Sequence, residues 1–506
     1  MLARVYSGTT MGLEGVLIEV EVDVAGKGFP TFTIVGLPSK AIDEARDRVR
    51  TAIINGAMEM PDSRITVNLA PADIPKVGAG FDLPIALGIL VASGILPKEC
   101  LLESIFIGEL SLKGDVRPVP GVISLALLAE QKKLKRIFVP RANVVEASLA
   151  TTVAVYPVDS LNDLILFFNG HREIKSQEPI NLNQLIHNQS TKFDFSDIKG
   201  QIQARRAMEI AAAGFHNVYM KGPPGAGKTM LSQAFSGILP ALDRQETVLV
   251  SQIYSICGLL GKNNLISQPP FRSPHHTTSR IGLIGGGSNP RPGEISLAHR
   301  GVLFLDEFSE FPRSVLESLR QPLEDGEVTV SRATGSLTFP ARFLLLAASN
   351  PCPCGYLGHP KRPCRCLPGM ILKYKKRLSG PLLDRIDIHL DVPAVDETSL
   401  INRFSGESSA KIQQRVVNAR KRQAMRLSNA SVKTNGEMTS VQIKKYCQLT
   451  PGAVDMLKNA IVRFNLSARS YFKIIKVAQT IADLAQEETI KESAVAEALQ
   501  YRLLED

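Results

Sequence analysis

Residues 222–229 read GPPGAGKT, the G-x-x-x-x-G-K-[ST] pattern of a phosphate-binding loop, and no other stretch restricts the fold as strongly. Glycines let backbone N–H groups turn inward around phosphate oxygens, Lys228 reaches the β and γ oxygens, and Thr229 offers its hydroxyl to Mg²⁺. The flanks agree. NVYM (217–220) reads as a strand ahead of the loop, and MLSQAFSGIL reads as a helix behind it. The nucleotide contacts are expected from Gly222, Pro223, Pro224, Gly225, Ala226, Gly227, Lys228, Thr229 and Met230.

Downstream, GVLFLDE is an apolar strand ending in Asp306 and Glu307. Asp306 is placed to hold Mg²⁺ with Thr229, and Glu307 to polarise an attacking water. FLLLAASN ends in Asn350, which would orient that water, although a strand ending in Asn is by itself usually a turn. In GPLLDRIDIHL, Arg385 has two readings: an ion pair with Asp384 or Asp387, or a cation supplied across a subunit boundary to the γ-phosphate.

The order GPPGAGKT, LFLDEFSEF, AASNP, SGPLLDRIDIH, LSARSYFKIIKVAQTIADL resembles the magnesium-chelatase/MCM branch of AAA+ ATPases. Within that branch it is similar to the ComM/YifB family, over essentially all 506 residues. The resemblance implies ATP and Mg²⁺ as cofactors, a homo-hexameric ring, Arg385 as the trans-acting finger and Arg469 as the sensor-2 arginine on a C-terminal lid. From the residues alone, Arg469 also reads as a surface cation near a capping Ser467. The implied activity is a DNA motor: a branch-migration helicase in recombination and natural transformation. It would act on branched or single-stranded DNA without sequence preference, alongside recombinase partners. Two inserted hairpins are implied in RSPHHTTSRIGLIGGGSNPRPGEISLAHRG and EDGEVTVSRATGSLTFPARF, with Arg280, Arg291 and Arg332 as their cations. His275 and His276 read as loop packing or capping rather than as metal ligands.

The expected fold class is α/β in three parts. Residues 1–170 alternate β-rich runs (VLIEVEVDV, TFTIVGL, RITVNLA, SIFIGEL, RIFVP, TVAVYPV) with helical patterns and resemble a Lon-protease-like α+β domain of the S5 type. Where such proteases carry a Ser this chain reads Gly-Phe-Asp (80–82), and where they carry a Lys it reads Gly-Val-Ile (121–123), so no acyl-transfer dyad is expected. Polar residues 171–192 read as a linker, 193–395 as the ATPase core, and 396–506 as an all-helical lid.

Cys352, Cys354, Cys364 and Cys366 form CPC–x9–CRC in an insert at 352–366 of that core. A structural Zn²⁺ site is the leading reading, beside a redox-sensitive thiol cluster and a metal-free loop; His359 could replace one ligand. No apolar run approaches the ~20 residues of a membrane helix, and the N-terminus lacks a signal pattern, so a cytoplasmic chain is expected. Residues 1–170 hold 16 Lys and Arg against 19 Asp and Glu, so the net charge of +10 arises entirely downstream. Residues 401–450 carry ten cations against Glu407 and Glu437, and 361–377 add seven more. Either block is a solvated face or a polyanion surface. Two other classes fit the motifs: a chelatase motor subunit remodelling a partner enzyme, and a protein unfoldase.

Overall fold

The computed structural model describes residues 1–26, 29–36, 40–76, 78–178, 193–261, 265–287, 290–332, 335–394 and 406–502. They fall into two compact units, Met1–Ile186 with Asp243–Ser267, and His187–Leu242 with Gln268–Asp506. Most of the 171–192 segment, the start of 396–506, the hairpin tip at 333–334 and the Arg332 side chain lie outside the described residues.

The first unit is built on a seven-stranded mixed sheet. Its order is Thr31–Val35, Arg64–Ala70, Glu14–Val24, Leu2–Met11, Ser104–Phe106, Arg136–Pro140, Ala154–Val158. Leu2–Met11 and Glu14–Val24 form an antiparallel hairpin with Leu2 opposite Asp23 and Met11 opposite Glu14. Alternation sets the faces: Ile18, Val20 and Val22 are buried, and the acids between them are not. The helix Asp82–Ala92 is apolar all round and every residue of it is buried. Its one acid, Asp82, is held by Arg48 at 2.7 and 3.0 Å and by the Leu110 amide at 3.2 Å. Burial still pushes its carboxyl up to about 6, against the pull of Arg48.

One boundary differs from the chain-order reading. Asp243–Ser267, expected inside the 193–395 core, packs with the first unit. Its helix, Arg244–Ile256, starts in a reciprocal capping box between Asp243 and Glu246. Leu265 joins Ile123 and Leu149 in a small apolar cluster. Ser255 Oγ donates to Glu146 Oε2 at 2.5 Å and accepts from the Gly121 amide at 3.1 Å; Gln252 Nε2 donates to Leu13 O at 2.5 Å. The segment's apolar face finds its complement more than a hundred residues upstream, which no local pattern records.

The second unit carries a five-stranded parallel sheet ordered Phe271–Arg272, Val302–Leu305, Leu344–Ser349, Val218–Lys221, Ile388–Asp391. Val302–Leu305 and Leu344–Ser349 are buried at every position, as strands covered on both faces must be. The phosphate-loop strand sits between the fourth and fifth strands in chain order, so motifs at the carboxyl ends of three adjacent strands meet along one edge. The helices Ser409–Arg426, Ser440–Tyr446, Pro451–Phe464, Ala468–Leu484 and Glu492–Gln500 share a continuous core with Ile202–Gly214 and the sheet, through Ile412, Val416, Ile475 and Val477. Part-buried ion pairs fasten them: Arg206 to Glu497 at 2.8 Å, and Glu437 to Arg300 at 2.7 Å and Arg342 at 3.3 Å. Glu327–Arg332 pairs with Gly335–Pro340 as an antiparallel hairpin, and Gly285–Gly286 with Arg291–Pro292 as a shorter one. Among the described residues, no helix is long and apolar enough to cross a membrane.

Candidate nucleotide site and cysteine cluster

Local geometry makes the loop at 222–229 a cradle. Only glycine fits at Gly222, where a Cβ would lie 2.2 Å from the Val392 carbonyl. Gly225 and Gly227 hold left-handed backbone, at φ 78° and 86°, and face open space, so a phosphate can approach their N–H groups. Lys228 begins the helix Lys228–Phe235. Its buried Nζ donates to Gly222 O at 2.7 Å, Pro223 O at 2.9 Å and Asn350 Oδ1 at 3.3 Å. Burial lowers its pKa and Asp306 opposes the shift. A triphosphate offers this cation far better acceptors than neutral carbonyls.

Thr229 Oγ1 donates to Asp306 Oδ2 at 2.8 Å, which brings the two expected Mg²⁺ ligands together. The Glu307 amide donates to Asp306 Oδ1 at 2.9 Å. Glu307 itself sits at φ 51°, a backbone position that costs a side-chain-bearing residue about 1–3 kcal/mol. Its carboxylate points into solvent-accessible space, 3.1 Å from His276 Nδ1. These residues line a cleft of about 710 Å³ together with Pro224, Met230, Ser273 and His275, a size that suits a nucleotide. His276 enters as a partner of the acid, a role that a loop rich in Gly and Pro concealed.

Arg385 and Arg469 are not among the described residues lining that cleft. They meet on one carboxylate that the motifs did not single out: Arg385 Nη2 donates to Glu324 Oε2, and Arg469 Nη2 to Glu324 Oε1 at 3.0 Å. The Arg385 guanidinium holds the Glu324 carboxyl below its ordinary range. Asp384 and Asp387, weighed as partners of Arg385, are not its partners here; Asp387 instead lies 3.3 Å from His216 Nδ1. Ser467 caps the helix Ala468–Leu484 and places Arg469 on its first turn. One turn on, Lys473 Nζ donates to the carbonyls of Asp384 and, at 2.8 Å, Ile386, tying that helix to the loop of Arg385. Burial pushes the Lys473 amine down to about 8.

Known proteins resemble this chain along its whole length. The family profile described as magnesium chelatase, subunit ChlI, matches residues 194–400; those described as subunit ChlI of Mg-chelatase and as its C-terminal part match 20–143 and 406–502. The competence protein ComM of Haemophilus influenzae is 44% identical over 506 residues, covering 99% of this chain and 98% of that one. The chain belongs to the ComM/YifB family of magnesium-chelatase-like AAA+ proteins. YifB of Escherichia coli is 42% identical over 506 residues, 100% of this chain and 97% of its own. The 38 kDa magnesium-chelatase subunit of Cereibacter sphaeroides is 26% identical over only 176 residues, 31% of this chain and 53% of its own. Membership in this family agrees with ATP and Mg²⁺ as ligands of the cleft.

The cysteine insert has the geometry of a tetrahedral metal site. The four sulfurs of Cys352, Cys354, Cys364 and Cys366 all lie within 4.8 Å of one another. Three of the separations are 3.4, 3.6 and 3.6 Å, against the roughly 3.8 Å that Zn–S bonds of about 2.3 Å impose. Backbone amides of Tyr356 and Arg365 pull the Cys354 thiol towards the thiolate, while its neighbours Cys364 and Cys366 are held towards the thiol, as expected of crowded sulfurs that share protons. A Zn²⁺ ion there would be structural, since four thiolates leave no open position. His359, weighed as a substitute ligand, instead accepts the amides of Lys361 and Arg362 at 3.0 and 3.1 Å.

The two basic blocks part company. Along Ser409–Arg426, Arg415 pairs with Glu209 and Glu407, Arg420 donates to Ala212 O, Arg422 to Glu487 O, and Arg426 pairs with Asp483. Those cations hold the helices together. The side chains of Arg280 and Arg291 are exposed on or beside the short hairpin.

Proposed function

We propose that this protein is an ATP hydrolase that assembles into a ring and drives branch migration or translocation on DNA, in recombination and natural transformation. The observation that carries the ATPase half is the convergence of Lys228, Thr229, Asp306, Glu307 and Asn350 on one cleft. In this reading Thr229 and Asp306 would hold Mg²⁺, which would supply positive charge for the nucleotide's phosphates, and Lys228 shares that load. Glu307 takes the proton of the attacking water and Asn350 orients that water. Arg385 serves a neighbouring subunit's nucleotide, and Arg469 acts as the sensor-2 arginine of the lid. What supports this reading is that the two guanidinium groups converge on one anion, the Glu324 carboxylate, as they would on a phosphate.

The DNA half is supported by the name of the full-length relative, a competence protein, and by a basic excess confined to residues beyond 170. The two hairpin segments, with Arg280, Arg291 and Arg332, are the candidate contacts inside such a ring. Residues 1–170 then serve as a Lon-like scaffold without peptidase chemistry. Among the described residues, a Cβ at Gly80 would meet only Ile107 and Val119, and Val122 and Ile123 are buried at a helix start. The magnesium-chelatase subunit supports the alternative of a motor remodelling a partner enzyme, but its likeness covers 31% of the chain. The test is displacement of a labelled strand from a three-stranded joint by purified protein with ATP. The reading expects displacement that Glu307→Gln abolishes; no displacement from any joint at low salt rejects it.

A further inference from the structure

Next to the turn that carries Glu307 lies a second cleft, of about 390 Å³, lined by Glu310, Phe311, Pro312, Arg313, Lys373, Lys376 and Arg377. The turn Phe308–Glu310 and the short helix Arg313–Glu317 form one wall, and the end of the helix Pro368–Lys375 forms the other. Four cations face one acid, and only Arg377 is engaged: its Nη1 donates to Glu310 Oε2 at 2.5 Å and to Ser309 O at 3.3 Å. The side chains of Arg313, Lys373 and Lys376 are exposed and, among the described residues, make no ion pair or hydrogen bond. Like charges gathered without acids repel one another and draw a counterion layer, and a polyanion gains affinity by releasing it. The basic helix Ser409–Arg426 is the internal contrast, because its arginines are taken up by Glu209, Glu407, Asp483 and backbone carbonyls.

We infer that this cleft takes the phosphodiester backbone of nucleic acid, and that a strand held there acts on the turn bearing Glu307. The inference rests on the DNA reading above and gives that reading a second contact, outside the hairpins. The coupling is short. The Glu310 amide donates to the Glu307 carbonyl at 2.7 Å, so one tight turn joins the acid that pairs with Arg377 to the acid in the nucleotide cleft. A phosphate oxygen competes with Glu310 for Arg377, and a released Glu310 loosens a turn whose first residue is already held at φ 51°. Phosphate contacts read no bases, so binding at this cleft is independent of sequence.

The test uses the full chain and a fluorescein-labelled single-stranded oligonucleotide, followed by anisotropy across a KCl series. Lys373→Ala/Lys376→Ala is compared with wild type and with Lys373→Arg/Lys376→Arg. Each lost phosphate contact flattens the slope of log affinity against log salt by about 0.9, so the double alanine variant should lose up to about 1.8. DNA should no longer raise its ATP turnover, its circular dichroism should match wild type, and the arginine pair should restore both slope and stimulation. An unchanged slope in a protein that binds DNA overturns the inference and leaves the motor reading standing. A wild-type chain that binds no DNA overturns both. If sedimentation instead shows that the alanine pair blocks assembly while DNA affinity per chain is kept, the cleft is a contact between copies of this chain and the inference fails.

Discussion

Replacing Glu437 by Gln tests whether the helical part of the second unit is clamped to the ATPase sheet by charge. Glu437 ends the turn Asn435–Glu437 and is nearly buried. It meets Arg300, just ahead of the strand Val302–Leu305, at 2.7 Å, and Arg342, just ahead of Leu344–Ser349, at 3.3 Å. Thr434 Oγ1 donates to it at 3.0 Å. Burial alone would raise its pKa; Arg300, the Lys433 amide and Arg342 overcome that and hold it down at about 2, against an ordinary 4.5. A carboxyl depressed that far contributes about 3 kcal/mol at neutral pH. The sign follows from the depression: the contribution is complete above pH 4.5 and is lost as the pH falls from 4.5 towards 2. Glu437→Gln, which mimics the protonated acid, should therefore lose about 3 kcal/mol at pH 7, a drop in urea midpoint of about 1 M for an m-value near 3 kcal/mol per M. The gap between variant and wild type should narrow as the pH is lowered below 4.5 in unfolding curves followed by circular dichroism. A variant that matches wild type at pH 7, or a gap that stays constant down to pH 3, refutes the clamp.

Lys228→Ala should weaken ATP binding by about 10- to 100-fold, the cost of one charged hydrogen-bond donor, while Glu307→Gln should bind normally and hydrolyse ~100-fold more slowly or worse; fluorescent-nucleotide titration and phosphate release separate the two. Neither Arg385→Ala nor Lys228→Ala should turn over alone, yet a mixture should recover activity, since each subunit lends the other its missing group; a mixture as dead as its parents counts against trans action. Anaerobically purified protein should carry about one zinc per chain by elemental analysis, and Cys364→Ser should lose it and lower turnover through the loop beside Asn350, with ATP affinity kept; metal-free wild type with full activity removes the structural-zinc reading.

The nucleotide cleft was legible because its parts are short motifs at strand ends, and a parallel sheet brings strand ends together whatever the distance in sequence. GPPGAGKT, LFLDE and AASN each named residues that the structure brings to one cleft. Residues whose roles depend on pairing were hidden. Glu324 carries no motif of its own, and it stands out only when Arg385 and Arg469, 84 residues apart, close on it. The cations of 401–450 looked like a surface because their partners, Glu209 among them, lie about two hundred residues upstream. The strand Leu2–Met11 escaped the reading of β-rich runs because its buried face carries Ser7 and Thr9 beside Ala3 and Val5. The capping box that opens Arg244–Ile256 is local, and a local signal does not say which unit buries the helix's apolar face.

The central claim is that ATP hydrolysis at Lys228, Asp306 and Glu307 is coupled to DNA. The most direct measurement is steady-state ATP turnover of the purified chain with linear duplex, single strand and three-stranded joint added in turn at low salt. The account predicts a several-fold rise with branched or single-stranded DNA, smaller with blunt duplex, and erased as salt is raised. Turnover indifferent to every DNA form, yet raised by a partner protein, would contradict it.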